Sequence, residues 1–232
     1  MILFDSTFVN SLGGINVLTT IIKSIDSHNR KLFILLVDIR NKKLEFEKYN
    51  GFNQIIYCNN NLFSRFLLIN KLKKNFDVIF TLGNVPNLVL SEKYQLTYNM
   101  QSLIFEYQKL KYPNNIKWFF KSQVIKLLFK LSNSDVAVQT KTMQVLFERI
   151  FKNRENKIHS FPVFKDIKIK QKTENRNQEY VYISSGEKYK NVELLIRSFS
   201  KFQKKYPKEK LHLTINKNHN NLIDLIDYAN SI

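Results

Sequence analysis

Residues 1–17 read MILFDSTFVNSLGGINV, and the reading of this opening stretch decides the fold. The apolar run Ile2–Phe4 predicts a short strand, and apolar residues at helical spacing from Ile15 to Ser27 predict a helix after it. Between the two lies Asn10-Ser11-Leu12-Gly13-Gly14-Ile15-Asn16-Val17. Adjacent glycines let a backbone turn tightly and approach a ligand closely, and the helix that follows aims free N–H groups at whatever binds there. That is phosphate-binding chemistry; the plainer reading is a simple strand-to-helix turn. The spaced-glycine fingerprint Gly-x-Gly-x-x-Gly is absent, which argues against an ordinary dinucleotide-dependent oxidoreductase.

The same alternation continues outward. Strands are expected at Leu32–Val37, Gln54–Cys58, Val78–Thr81, Tyr94–Asn99, Asp135–Gln139, Tyr180–Ser184 and Leu211–Ile215. Helices are expected at Leu62–Asn75, Asn115–Leu131, Thr142–Phe151, Val192–Tyr206 and Asn221–Tyr228. Strands separated by helix-length segments form βαβ units, hence a parallel sheet covered on both faces. The pattern lapses into KDIKIKQKTENRNQE between Lys165 and Glu179, a polar run of linker character. The expected organisation is an α/β domain over 1–163, a linker over 164–179 and a partial second α/β domain over 180–232.

Composition limits the classes. A 44% hydrophobic content with 19 Phe and 11 Tyr supports a packed core rather than disorder. Cys58 is the single cysteine, so no internal disulfide forms, and no Cys/His cluster stands at metal-ligand spacing. The N-terminus lacks a basic segment before its apolar run, and the expected location is cytoplasmic. A formal charge of +18 points to an anionic partner, although the abundance of Lys, Asn and Ile also fits a gene rich in A and T. A nucleic-acid module is disfavoured because the lysines are spread over all helices and no recognised binding motif occurs.

A second loop of the same kind is Ser184-Ser185-Gly186-Glu187-Lys188-Tyr189-Lys190-Asn191-Val192-Glu193-Leu194-Leu195, again placed between strand and helix. Lys188 and Lys190 would add ammonium charge to the backbone N–H groups that face a diphosphate. The plainer reading is a solvated basic turn. Further landmarks are TLGNVPN at 81–87, YNMQSL at 98–103, VAVQTKTMQ at 136–144, NKIHSFP at 156–162 and YKNVELLIRSF at 189–199.

In this order the landmarks resemble glycosyltransferase family 4, whose members have the GT-B fold of two Rossmann-like domains. The resemblance covers nearly the whole chain and implies a GT-B-like α/β protein: an N-terminal, acceptor-side Rossmann-like domain and the beginning of a C-terminal nucleotide-sugar-binding one. It implies that Gly13 and Gly14 lie beside the donor diphosphate and sugar, and that Ser185, Lys188 and Lys190 belong to the donor site. Asn99 and Gln101, at a strand end near the reacting centre, are the implied catalytic-centre candidates for contacts to sugar or acceptor. Neither amide is a general base, so the leaving phosphate would take the proton if configuration is retained.

The implied activity is transfer of a hexose from a nucleotide-sugar donor to a surface-polysaccharide or lipid-linked glycan acceptor. No cofactor is expected beyond the donor itself, and no metal, because there is no Asp-x-Asp motif. The family's arginine before the lysine is replaced here by Ser184-Ser185-Gly186, and its glutamate pair does not occur before Ile232. The alternative is therefore a catalytically incomplete glycosyltransferase that acts as a binding subunit beside a complementing C-terminal polypeptide.

Two further readings concern single elements. The helix NIKWFFKSQVIKLLFKL over Asn115–Leu131 mixes bulky apolar residues with Lys117, Lys121, Lys126 and Lys130. It is either a core helix with outward lysines or a peripheral contact with the inner face of an anionic membrane. His159 reads as a strand residue, and Cys58 as a small buried residue rather than a nucleophile.

Overall fold

The computed structural model describes residues 1–89, 92–102, 105–106, 114–152, 157–162, 179–183 and 191–214. The expected helix at Asn221–Tyr228 and the loop that holds Ser185, Lys188 and Lys190 lie outside them. The chain divides into two compact units, Met1–Ile167 and Lys168–Ile232.

The first unit is a Rossmann-like α/β layer structure. Its strands are β1 (Ile2–Ser6), β2 (Phe33–Asp38), β3 (Gln54–Cys58), β4 (Val78–Leu82), β5 (Tyr94–Asn99), β6 (Ser134–Val138) and β7 (Ile158–Ser160). They form one sheet in the order β3-β2-β1-β4-β5-β6-β7, and every pairing is parallel. The chain steps outward from β1 through β2 to β3, then returns to the other side of β1 with β4. That reversal is a topological switch point, and in open α/β sheets ligands bind at the carboxyl ends of the strands there.

The helices are α1 (Leu12–Ser24), α2 (Leu62–Leu72), α3 (Asn114–Leu131) and α4 (Lys141–Ile150). Alternation along the central strands assigns each to a face. Phe4, Leu35 and Val37 pack with Val17, Leu18 and Ile22 of α1, whereas Leu3, Ile34 and Leu36 pack with Ile69 of α2. Buried on both faces, β2 is apolar nearly throughout, FILLVD. A further cluster joins Ile125 and Phe129 of α3, Val136 and Val138 of β6, and Phe147 of α4.

The start of α1 differs from the expected Ile15. Ser11 caps it by accepting a hydrogen bond from the Gly14 N–H at 3.2 Å, so Gly13 and Gly14 belong to the first helical turn rather than to a preceding loop. Between β2 and β3 the charged run Ile39–Lys48 forms short 3₁₀ turns that apolar periodicity does not announce. One of them buries Phe46 against the α1 face of the sheet.

The second unit contains β8 (Glu179–Ile183), α5 (Val192–Lys205) and β9 (Lys210–Thr214), with β8 and β9 paired in parallel. This is one βαβ unit. Its helix buries Val192 and Ile196, and Tyr180 packs edge-on against Phe199 and Phe202.

Candidate functional site at the sheet switch point

Three chain segments meet at the carboxyl edge where β1, β4 and β5 lie side by side. After β1 the chain turns through Thr7–Asn10 into α1; after β4 it turns at Gly83; after β5 it continues into Met100 and Gln101. Gly83 adopts φ 141°, a conformation open to glycine, and its N–H donates to the Tyr98 carbonyl at 3.0 Å. Asn84 then binds the third segment: its Oδ1 accepts from the Met100 N–H at 3.0 Å, and its Nδ2 reaches Gln101 Oε1 at 3.5 Å.

The two glycines of α1 play different parts. A Cβ on Gly14 would meet Val9 Cγ1 at 3.0 Å and the capping Ser11 Oγ at 3.1 Å, with Met100 Cε at 3.8 Å, so Gly14 is a packing requirement. A Cβ on Gly13 would meet nothing within 4 Å. Gly13 is exposed in the first turn, where helix geometry leaves backbone N–H groups without intrahelical acceptors. Here the backbone presents itself to solvent at the positive end of the helix dipole.

Asn99 and Gln101 arrive at the same edge by different routes. Asn99 is fully buried at the end of β5, and its Oδ1 accepts from the Gln101 N–H at 3.1 Å. Its Nδ2 is buried with no hydrogen-bond partner among the described residues. A buried amide donor of this kind costs stability until something accepts from it. Gln101 is partly exposed beside Asn84. The structure thus brings Gly13, Gly14, Asn99 and Gln101 to neighbouring segments of one edge. Ser185, Lys188 and Lys190 are outside the described residues.

Beneath this edge lies a polar network that the sequence reading missed. Asp5 is fully buried in β1, yet it carries a full set of donors. The Thr7 N–H donates to Oδ1 at 3.0 Å and the Thr7 hydroxyl at 2.5 Å; Arg65 Nε donates to Oδ2 at 2.7 Å and Asn87 Nδ2 at 2.8 Å. Burial alone would push the Asp5 carboxyl up, but the Arg65 charge and the hydrogen bonds from Thr7 and Asn87 outweigh it. The carboxyl is held below its ordinary 3.8.

Arg65 also donates to the carbonyls of Val85 at 3.0 Å and Pro86 at 3.4 Å, and its guanidinium lies 4.9 Å from the centre of the Phe8 ring. One arginine from α2 therefore ties together the segment after β1 and the segment after β4, the two walls of the switch point. The available signal was a charge inside an apolar run: Asp5 in ILFDS and Arg65 in LFSRFLLI. A charge in a covered sheet must find a partner.

At the end of β2 a second buried acid, Asp38, pairs with Arg40 and accepts from the Arg40 N–H at 2.9 Å. Both carboxylates are thus engaged in holding loops. Cys58, at the end of β3, is buried, and burial pushes its thiol up, as suits a packing residue.

Next to the switch point on the same edge, beyond β5 and β6, a cavity of about 660 Å³ opens between Ser102 and Glu106 on one side and α4 on the other. Thr140, Thr142, Lys141 and Arg149 contribute hydroxyl and cationic groups to its wall. Comparison with family models gives no match, and comparison with curated proteins gives none either.

Proposed function

We propose that this chain is a nucleotide-sugar-dependent glycosyltransferase of GT-B type. In this reading a hexose passes from a nucleoside diphosphate to a surface-polysaccharide or lipid-linked glycan acceptor. The observation that carries the reading is the exposed Gly13 turn of α1, placed at the carboxyl edge of a parallel sheet beside its switch point. There the backbone N–H groups and helix dipole can take up negative charge as it develops on a leaving diphosphate, without rearrangement.

Two features support the assignment of sides. The cavity by α4 offers hydroxyl, ammonium and guanidinium groups, which suit the hydroxyls of a glycan, and it shares its edge with Gly13. Asp5 and Asp38 are committed to arginines, while Glu106 stands in the cavity wall; in this scheme the leaving phosphate receives the acceptor proton. The donor side is assigned to the loop that holds Ser185, Lys188 and Lys190 on the sequence resemblance.

The test is release of UDP or GDP from the corresponding hexose donors, with and without a glycan acceptor. Turnover by the native chain that is weakened by Gly13→Val, while the protein stays folded, is the expected result. A folded chain that hydrolyses or transfers from neither donor overturns the catalytic reading.

A further inference from the structure

Helix α3 carries two apolar faces, and the core uses only one. Ser122, Ile125 and Phe129, at spacings of three and four, are buried, and Ile125 and Phe129 pack with Val136 and Phe147. On the opposite side Phe120, Val124, Leu127 and Leu131 form a second row at spacings of four, three and four. Their relative exposures are 64%, 48%, 55% and 62%. A helix that merely covers a sheet has polar residues in this position.

The charges around that row identify its occupant. Lys117, Lys121 and Lys130 border it and are exposed, and α3 contains no Asp or Glu in its 18 residues. The Lys121 ammonium lies over the Trp118 ring, 4.5 Å from its centre. A protein partner would need an acidic rim around an apolar groove. An anionic bilayer offers both chemistries continuously: headgroup charge for the lysines and acyl chain for the row. No described helix is long and apolar enough to cross a membrane, so α3 is suited to lie in the interface plane.

We propose that the outer face of α3 docks this protein onto an anionic lipid surface, with Phe120, Val124, Leu127 and Leu131 entering the headgroup boundary. The proposal stands on the helix alone and holds whether or not the chain transfers sugar. Because α3 ends just before β6 begins at Ser134, its other end rises toward the carboxyl edge that carries the candidate site. Docking through α3 would hold that edge near groups embedded in the bilayer.

The experiment is co-sedimentation of the full chain with vesicles of phosphatidylglycerol in phosphatidylcholine, against phosphatidylcholine alone. Binding to the anionic vesicles is expected, with a loss of about tenfold or more in Phe120→Ser/Leu127→Ser. Lys117→Gln/Lys130→Gln should weaken it about fivefold per lysine. The matched-charge control Lys71→Gln/Lys74→Gln, on and just after α2, should stay within about twofold. All substituted side chains are exposed, and Trp118 fluorescence checks the fold of each variant. No binding by the folded chain would overturn the proposal. So would binding that the Phe120/Leu127 variant leaves intact, which would trace it to diffuse charge. A concentration-dependent dimer abolished by that variant, with no vesicle binding, would assign the face to a second copy instead.

Discussion

Replacing Arg65 with methionine keeps most of the side-chain length and removes the charge, leaving the Asp5 carboxylate fully buried without its ion partner. The loss of one partner from a buried pair generally costs about 3–5 kcal/mol. Here Thr7 and Asn87 still donate to Asp5, which places the expected cost near the lower figure, while the Val85 and Pro86 carbonyls each lose a donor. A destabilisation of about 3 kcal/mol is therefore expected, a large share of an ordinary domain's stability. Urea unfolding followed by the fluorescence of Trp118, the only tryptophan, reads the first unit directly. The double variant Asp5→Asn/Arg65→Met should recover most of the loss, because it leaves no buried charge.

The pH dependence adds a second signature. In the native chain Asp5 has a depressed folded pKa, so its contribution is present above the unfolded value of 3.8 and disappears as pH falls below it. Without Arg65, the burial that pushes the carboxyl up prevails and its folded pKa rises above the unfolded one. The Arg65→Met variant should then gain stability as pH is lowered from neutrality toward 4, opposite to the native chain. A cost below about 1 kcal/mol, or acid behaviour like the native chain's, would refute the role assigned to this pair.

Other consequences follow from single contacts. Gly14→Ala should destabilise by about 1–3 kcal/mol through its clash with Val9 and the Ser11 cap, whereas Gly13→Ala should be neutral or stabilise by up to about 1 kcal/mol; paired thermal melts decide this. Tyr98, whose hydroxyl donates to the Phe161 carbonyl at 2.8 Å, is pushed up to about 12 by burial. Native stability should thus decline between about pH 10, where unfolded tyrosine ionises, and about 12. Tyr98→Phe should cost about 0.5–1.5 kcal/mol at neutral pH and flatten that alkaline decline, which urea titrations across the range would detect.

The sheet was legible from short apolar or alternating runs between helix-length segments; β2, covered on both faces, reads as an almost unbroken apolar run, β5 alternates polar and apolar residues, and both fall within one residue of expectation. Element ends were less so. Ser11 draws Gly13 and Gly14 into α1 by a cap that only backbone geometry makes visible. At the site, the glycine pair announced itself locally, as backbone freedom must. The Asp5 network did not, because its members stand 60 and 82 residues from Asp5 in sequence and meet only through the sheet order. Helix α3 was ambiguous for a related reason: apolar residues on two opposite faces cancel the periodicity that would mark either one.

The most direct test of the proposed chemistry is calorimetric titration of the 232-residue chain with UDP and with GDP, each repeated on Lys190→Ala. Binding of at least one nucleoside diphosphate, weakened about tenfold or more by loss of the ammonium group, is the predicted result. A well-folded chain that binds neither, or binds one equally well without Lys190, would contradict a donor site in this protein.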